Sequence, residues 1–157
     1  MAGIATTPQE VAARWRHLPH MFQVNLQNFK TKAGKVAVSV FKKSFDLKRM
    51  NTSGSLPWPA RKDRKKHPLL KETGTLKNSI KWKSIDSGTR IFTDPDSFGT
   101  AKRHAGFCYA AIHNAKSGTY SYGNRGPSVQ RQFIGDSSVL DDELKKIVVT
   151  IFNGFPK

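Results

Sequence analysis

His67-Pro-Leu-Leu-Lys-Glu-Thr-Gly-Thr-Leu-Lys-Asn-Ser79 joins the most basic run of the chain to its first clear β signal. Gly74 supplies a position where positive φ is cheap. Thr73 and Thr75 flank it, and either hydroxyl is suited to cap a short helix. That helix is expected from about Leu76 to Ile80, burying these two residues, four apart on one face. The stretch reads as a tight corner that turns a basic loop into a sheet, with no catalytic chemistry of its own.

N-terminal to the corner the pattern is helical. Thr7 caps, Pro8 takes the first helical position and Glu10 completes a capping box. Val11, Trp15 and Leu18 form one stripe, and Pro19 is expected to interrupt or restart the helix. Phe22, Leu26, Phe29, Ala33, Val36, Ala37, Val40, Phe41 and Phe45 then recur every three or four residues, which predicts a long amphipathic helix whose aromatic stripe is core. Gly34 weakens that helix by about 1 kcal/mol relative to alanine. Residues 49–66 read as a loop punctuated by Gly54, Pro57 and Pro59, in which Trp58 anchors either a partner or its own fold.

C-terminal to the corner, Ile80–Ile85 and Thr89–Thr93 alternate around Asp86-Ser87-Gly88, which predicts a β-hairpin. Residues 94–103 read as an irregular polar insert. Phe107–His113 is either a short helix or a buried strand end. Lys116–Ser128 is a mobile loop or β-excursion, and Val129–Phe133 alternates as a further strand. Asp136 or Ser137 caps a last helix, with Val139, Leu140, Leu144, Ile147, Val148, Ile151 and Phe152 on its buried side. The fold class expected is α+β, with a long N-terminal helix and a C-terminal helix packed on a small antiparallel sheet, and with long basic and Gly-rich loops. One domain is expected over 1–157: helical region 1–48, basic loop 49–68, β-rich core 69–135 and C-terminal helix 136–157.

Composition limits the function. Hydrophobic residues make up 37% of the 157, which predicts a modest core with long exposed loops. No apolar run approaches the length of a membrane span. Met1–Glu10 lacks the basic start and apolar stretch of a signal peptide. The single cysteine, Cys108, excludes an intrachain disulfide and a cysteine-based zinc site, and its apolar neighbours make it a buried inert thiol. The net charge of +16 predicts a polyanionic neighbour or an acidic protein partner. Between Lys30 and Lys66 there are twelve basic residues against two acidic ones. Lys48, Arg49, Trp58, Arg61, Lys62, Arg64, Lys65 and Lys66 are the candidate DNA or partner contacts. The acidic cluster Asp136, Asp141, Asp142 and Glu143 offers a matching surface on a second copy.

Catalytic motifs are absent from the sequence. His17 and His20 are separated by Pro19, and His67, His104 and His113 stand apart from any paired-carboxylate or cysteine pattern. No phosphate-binding loop or nucleophile elbow occurs. No enzyme, metal or cofactor is expected.

Three landmarks in order carry a family resemblance. They are Leu70-x-x-Thr73-Gly74-x-Leu76-x-x-Ser79-Ile80, then Tyr109-Ala110-x-x-His113, then Arg131-x-Phe133-Ile134-Gly135 before the last helix. The chain resembles, over about residues 41–149, the tailed-phage virion morphogenesis family, which includes Mu-like and related tail-completion or neck proteins. Ile134 stands where that family usually has leucine, and Asn114-Ala115-Lys116-Ser117 pushes the following glycine back to Gly118. The resemblance implies a structural virion protein. Such a protein acts at the neck or head-proximal tail end as a ring of identical subunits, with other neck, connector or tail proteins as partners, non-specific contact with packaged DNA and no membrane. Three alternatives stand beside it: a free nucleic-acid-binding protein using the 49–66 arm, a nuclease-like enzyme using His104 or His113, and a basic domain whose loops order only in a complex.

Overall fold

The computed structural model describes residues 7–60, 70, 73–98, 109–121 and 127–153, apart from the side chain at position 14. The architecture is α+β. Helix α1 spans Pro8–Leu47, α2 Thr75–Asn78, strand β1 Ile80–Ile85, β2 Gly88–Thr93, α3 Tyr109–Asn114 and α4 Ser138–Phe152. The two strands form one antiparallel hairpin.

Helix α1 begins with the expected capping box: the Thr7 hydroxyl accepts from the Glu10 N–H, and the Glu10 carboxylate accepts from the Thr7 N–H. Contrary to expectation, Pro19 neither interrupts nor restarts it; the helix runs unbroken for 40 residues, about 60 Å. Pro19 lacks a donor, but this half of the helix is largely exposed, so the carbonyl left over can hydrogen-bond to water. The end comes at Lys48, in the left-handed region at φ 53°, whose N–H closes on the Ser44 carbonyl. Glycine is the usual residue at such a stop.

The corner folds nearly as read. Gly74 has φ 71°, and Leu76 and Ile80 are buried. However, α2 ends at Asn78, because Ile80 already pairs with Thr93 as the first rung of the hairpin. Gly74 itself occupies the cap position, and the Thr73 hydroxyl accepts from the Thr75 N–H at 3.4 Å while lying 2.6 Å from Thr75 Oγ1.

The hairpin lies across α1. Trp82 packs so closely on Gly34 that a Cβ there would sit 2.8 Å from the indole Cγ and closer still to other ring atoms. Gly34, read as a weak point, is therefore the seat of the sheet. Lys30 Nζ donates to the Ile85 and Asp86 carbonyls, and Thr89 Oγ1 donates back to the Lys30 carbonyl. Beyond β2, Asp94 caps a 3-10 turn over Pro95–Ser97. Its carboxyl is held below the usual carboxylate range, first by the Lys81 hydrogen bond and then by the Asp96 N–H. Phe98 then enters the core, within what the sequence presents as a polar insert.

The core gathers Ala37, Val40, Phe41 and Phe45 of α1 with Met50, Trp58, Leu76, Ile80, Phe98, Ala110 and Phe133. Helix α4 runs back along α1 from its Ser137 cap until Phe152 reaches Phe22, with ring centroids 6.1 Å apart. Val148, expected on the buried side of α4, is exposed.

Two further expectations are corrected. The stretch 129–133 forms no strand; the isolated bridge Ser121–Pro127 precedes it. The aromatic stripe of α1 is core only in its C-terminal half: Trp15 is 67% exposed, and Val11, Phe22 and Leu26 are exposed as well.

Gly34→Ala tests the seating of the hairpin. Alanine gains about 1 kcal/mol in helix propensity, but overpacking costs about 1–3 kcal/mol. Urea unfolding is expected to show a net loss, and the same substitution in a Trp82→Leu background a gain.

Candidate functional site

The three sequence landmarks converge on one region of the core rather than on a cleft. Phe45 is the centre, with Trp58 edge-on at 5.6 Å and Phe133 at 5.1 Å between ring centroids. Burying side chains of this size contributes about 1.5–3 kcal/mol each.

Trp58 belongs to this core. It is 8% exposed, and its indole N–H donates to the Gln132 carbonyl at 2.8 Å. Its backbone N–H reaches the Lys48 carbonyl, and Arg49 bridges to Pro57, so residues 49–58 fold back over the end of α1. Of the two roles open to Trp58, anchoring its own fold is the one it fills. That removes it from the candidate DNA or partner contacts, since both its ring and its donor are engaged within the chain.

Asn114 locks the second landmark to the third. Its Oδ1 accepts from the N–H groups of both Phe133 and Ile134 at 3.0 Å, and its Nδ2 donates to the Ile134 carbonyl at 2.9 Å. The backbone of 133–134 thus finds in one amide side chain the partners a neighbouring strand would give it. The Arg131 N–H donates to the His113 carbonyl, while its guanidinium reaches the Pro59 and Ala60 carbonyls at 3.2 and 3.4 Å. Arg131 therefore holds the chain where the basic run begins. Leu70 lies at φ 57° and packs against the core. Ser79 is buried with its hydroxyl on the Leu76 carbonyl, Ala110 is buried, and Gly135 lies between Phe133 and the α4 cap.

A second set of hydrogen bonds ties the 49–58 loop to α4. Asn51 donates from its side chain to the Val40 carbonyl and from its backbone to Ser44 Oγ. Its own carbonyl accepts from Ser137 Oγ, the cap of α4. Thr52 and Ser53 engage the Ser138 hydroxyl.

Lys48 and Arg49 are exposed at the root of the arm, in keeping with an outward-facing charge. Arg61, Lys62, Arg64, Lys65 and Lys66 lie outside the described residues, as do His67, His104 and Cys108. On α1, Lys32, Lys35, Lys42 and Lys43 line the side opposite the core, and none is ion-paired to a described residue. The sequence pattern already sets these lysines off the apolar stripe of the helix, and the structure places them there. On α4, Asp142 and Glu143 pair with Lys145 and Lys146, whereas Asp136 and Asp141 are exposed. No group of three or more histidine, cysteine, aspartate or glutamate residues suited to a metal ion occurs among the described residues. No described helix is long and apolar enough to cross a membrane.

His113 has a buried Nδ1 with no hydrogen-bond partner among the described residues, and it packs edge-on to Tyr109 at 4.7 Å. Its pKa is pushed down from 6.5 to about 4, first by burial and then by the Arg131 charge. The folded state therefore holds a neutral imidazole where the unfolded chain takes up a proton. Its contribution is complete above pH 6.5 and is lost as pH falls toward 4, by roughly 3 kcal/mol. Urea unfolding at pH 7 and pH 4.5 is expected to show a smaller acid loss for His113→Gln than for the native chain; equal losses would contradict this assignment.

No protein-family model matches the chain, and no curated protein or solved structure matches it.

Proposed function

We propose that this chain is a structural virion protein of a tailed bacteriophage. It acts at the neck or head-proximal end of the tail, in tail completion or head–tail joining, as an oligomeric ring without catalytic turnover. The observation that carries the assembly part of this reading is the split stripe of α1. Its apolar spacing continues from Phe45 back to Val11, yet only the C-terminal half is covered by the fold. The first fourteen residues of the helix, Pro8 to Met21, precede the contact of Phe22 with the end of α4 and extend about 20 Å. Val148 and Val149 of α4 are likewise exposed, Val149 at 67%, beside an open depression of about 500 Å³ that Asp141, Leu144 and Lys145 also line. Large apolar residues at regular spacing on an uncovered face mark a protein–protein surface. The open depression is shaped for a protein rather than for an enclosed small molecule.

The placement in a virion rests on the ordered landmarks. Their convergence around Phe45 supports reading them as a fold signature. A basic nucleic-acid-binding protein using the 49–66 arm is the second reading, favoured by the charge of +16 and by exposed Lys48 and Arg49. Burial of Trp58 takes away the base-stacking residue that reading would use.

Light scattering of the purified chain is expected to give a multimer. Val11→Asp with Trp15→Asp, on the stretch that precedes the contact with α4, should raise its dissociation constant at least about tenfold, because an aspartate in an apolar contact is left unpaired. A native monomer at every concentration contradicts assembly through this face. Virions made without the chain should separate into heads and tails; normally joined particles would refute the neck assignment.

A further inference from the structure

The hairpin has two faces, because alternate residues of a strand point to opposite sides. Ile80, Trp82 and Ser84 face α1, and Lys81, Lys83 and Ile85 face away. On the outward face Lys83 lies directly opposite Arg90 in the antiparallel register. Both are exposed. Directly opposed side chains have Cβ atoms about 4.5–5.5 Å apart, and like charges there repel. Neither cation has a carboxylate partner among the described residues, whereas neighbouring Lys81 pairs with Asp94 and Lys77 with Asp46. Lys83 instead reaches over the ring of Phe92, 5.8 Å from its centroid. The platform is firmly held from behind, by Trp82 in the Gly34 notch and by Lys30 and Thr89 at the turn.

Two opposed, unneutralised cations on a braced two-stranded ribbon form an anion-binding surface. The guanidinium of Arg90 offers the paired donors that suit a phosphate, and Lys83 adds a point charge beside it. A net charge of +16 draws polyanions toward the chain at long range. We propose that the outward face of the β1–β2 hairpin, centred on Lys83 and Arg90, contacts the phosphate backbone of double-stranded DNA, independently of the basic run at 61–66. The contact reads no sequence, since phosphate bonds carry none. It does not depend on the virion reading.

Fluorescence anisotropy with a duplex oligonucleotide over a salt series tests this on the full chain. Lys83→Thr with Arg90→Thr keeps strand-forming residues and removes both charges. It should weaken binding about 10- to 100-fold near 0.1 M salt and reduce the slope of log K against log salt by about 2. Lys35→Ala with Lys43→Ala, an equal loss of charge on the solvent face of α1, should change the slope by less than half as much. The melting temperature of the hairpin variant should hold or rise as the repulsion is relieved. The proposal is overturned if the native chain does not bind the duplex, if the hairpin variant keeps native affinity and slope, if the α1 control loses as much, or if the hairpin variant melts lower.

Discussion

Phe45 is the constraint on which the rest of the structure depends. It closes the last buried turn of α1 and is 1% exposed, between a tryptophan from the following loop and a phenylalanine nearly ninety residues later. To seat Trp58 there, the chain must reverse at Lys48 and fold residues 49–58 back over the helix end. To seat Phe133, the 130–135 segment must be held without a sheet, and the Asn114 amide does so by taking two backbone N–H groups and one carbonyl. The Arg131 side chain then fixes where the loop leaves the core at Pro59 and Ala60. One aromatic cluster thereby sets where α4 begins and where the basic run departs.

The same helix that supplies Phe45 runs on past the fold: its first fourteen residues, Pro8 to Met21, precede the contact of Phe22 with α4. Its C-terminal half carries the hairpin and the core, and its N-terminal half presents apolar residues to solvent. In the proposed assembly, the part of the stripe that the fold leaves uncovered is the contact surface. Positive charge is distributed on other surfaces: a lysine ridge opposite the core, Lys48 and Arg49 at the arm, and the outer face of the hairpin. Assembly and polyanion contact can therefore use different faces of one small chain.

Regular elements were legible in the sequence because periodicity and capping are local. The Thr7–Glu10 box, Gly74 at positive φ, the hairpin and the Ser137 cap all follow from residues a few positions apart, although Gly88, read as part of the turn, already pairs with Ile85. What was not legible depended on distant partners. Trp58 between two prolines looks like an exposed anchor until Phe45 and Gln132 are brought to it. Residues 129–133 alternate like a strand, but an amide side chain satisfies the backbone there, which periodicity does not register. Gly34 reads as a flaw in a helix until Trp82 occupies the notch it leaves. The candidate contacts divide in the same way: the charges at Lys48 and Arg49 are exposed as read, and the aromatic among them is core.

The central claim is that the uncovered half of α1 is buried between copies. Amide hydrogen exchange across residues 11–26, measured over a range of protein concentrations, tests it most directly. Protection that climbs with concentration in this segment, while the 37–45 segment stays constantly protected, is the result the account predicts. Fast exchange across 11–26 at every concentration would contradict it.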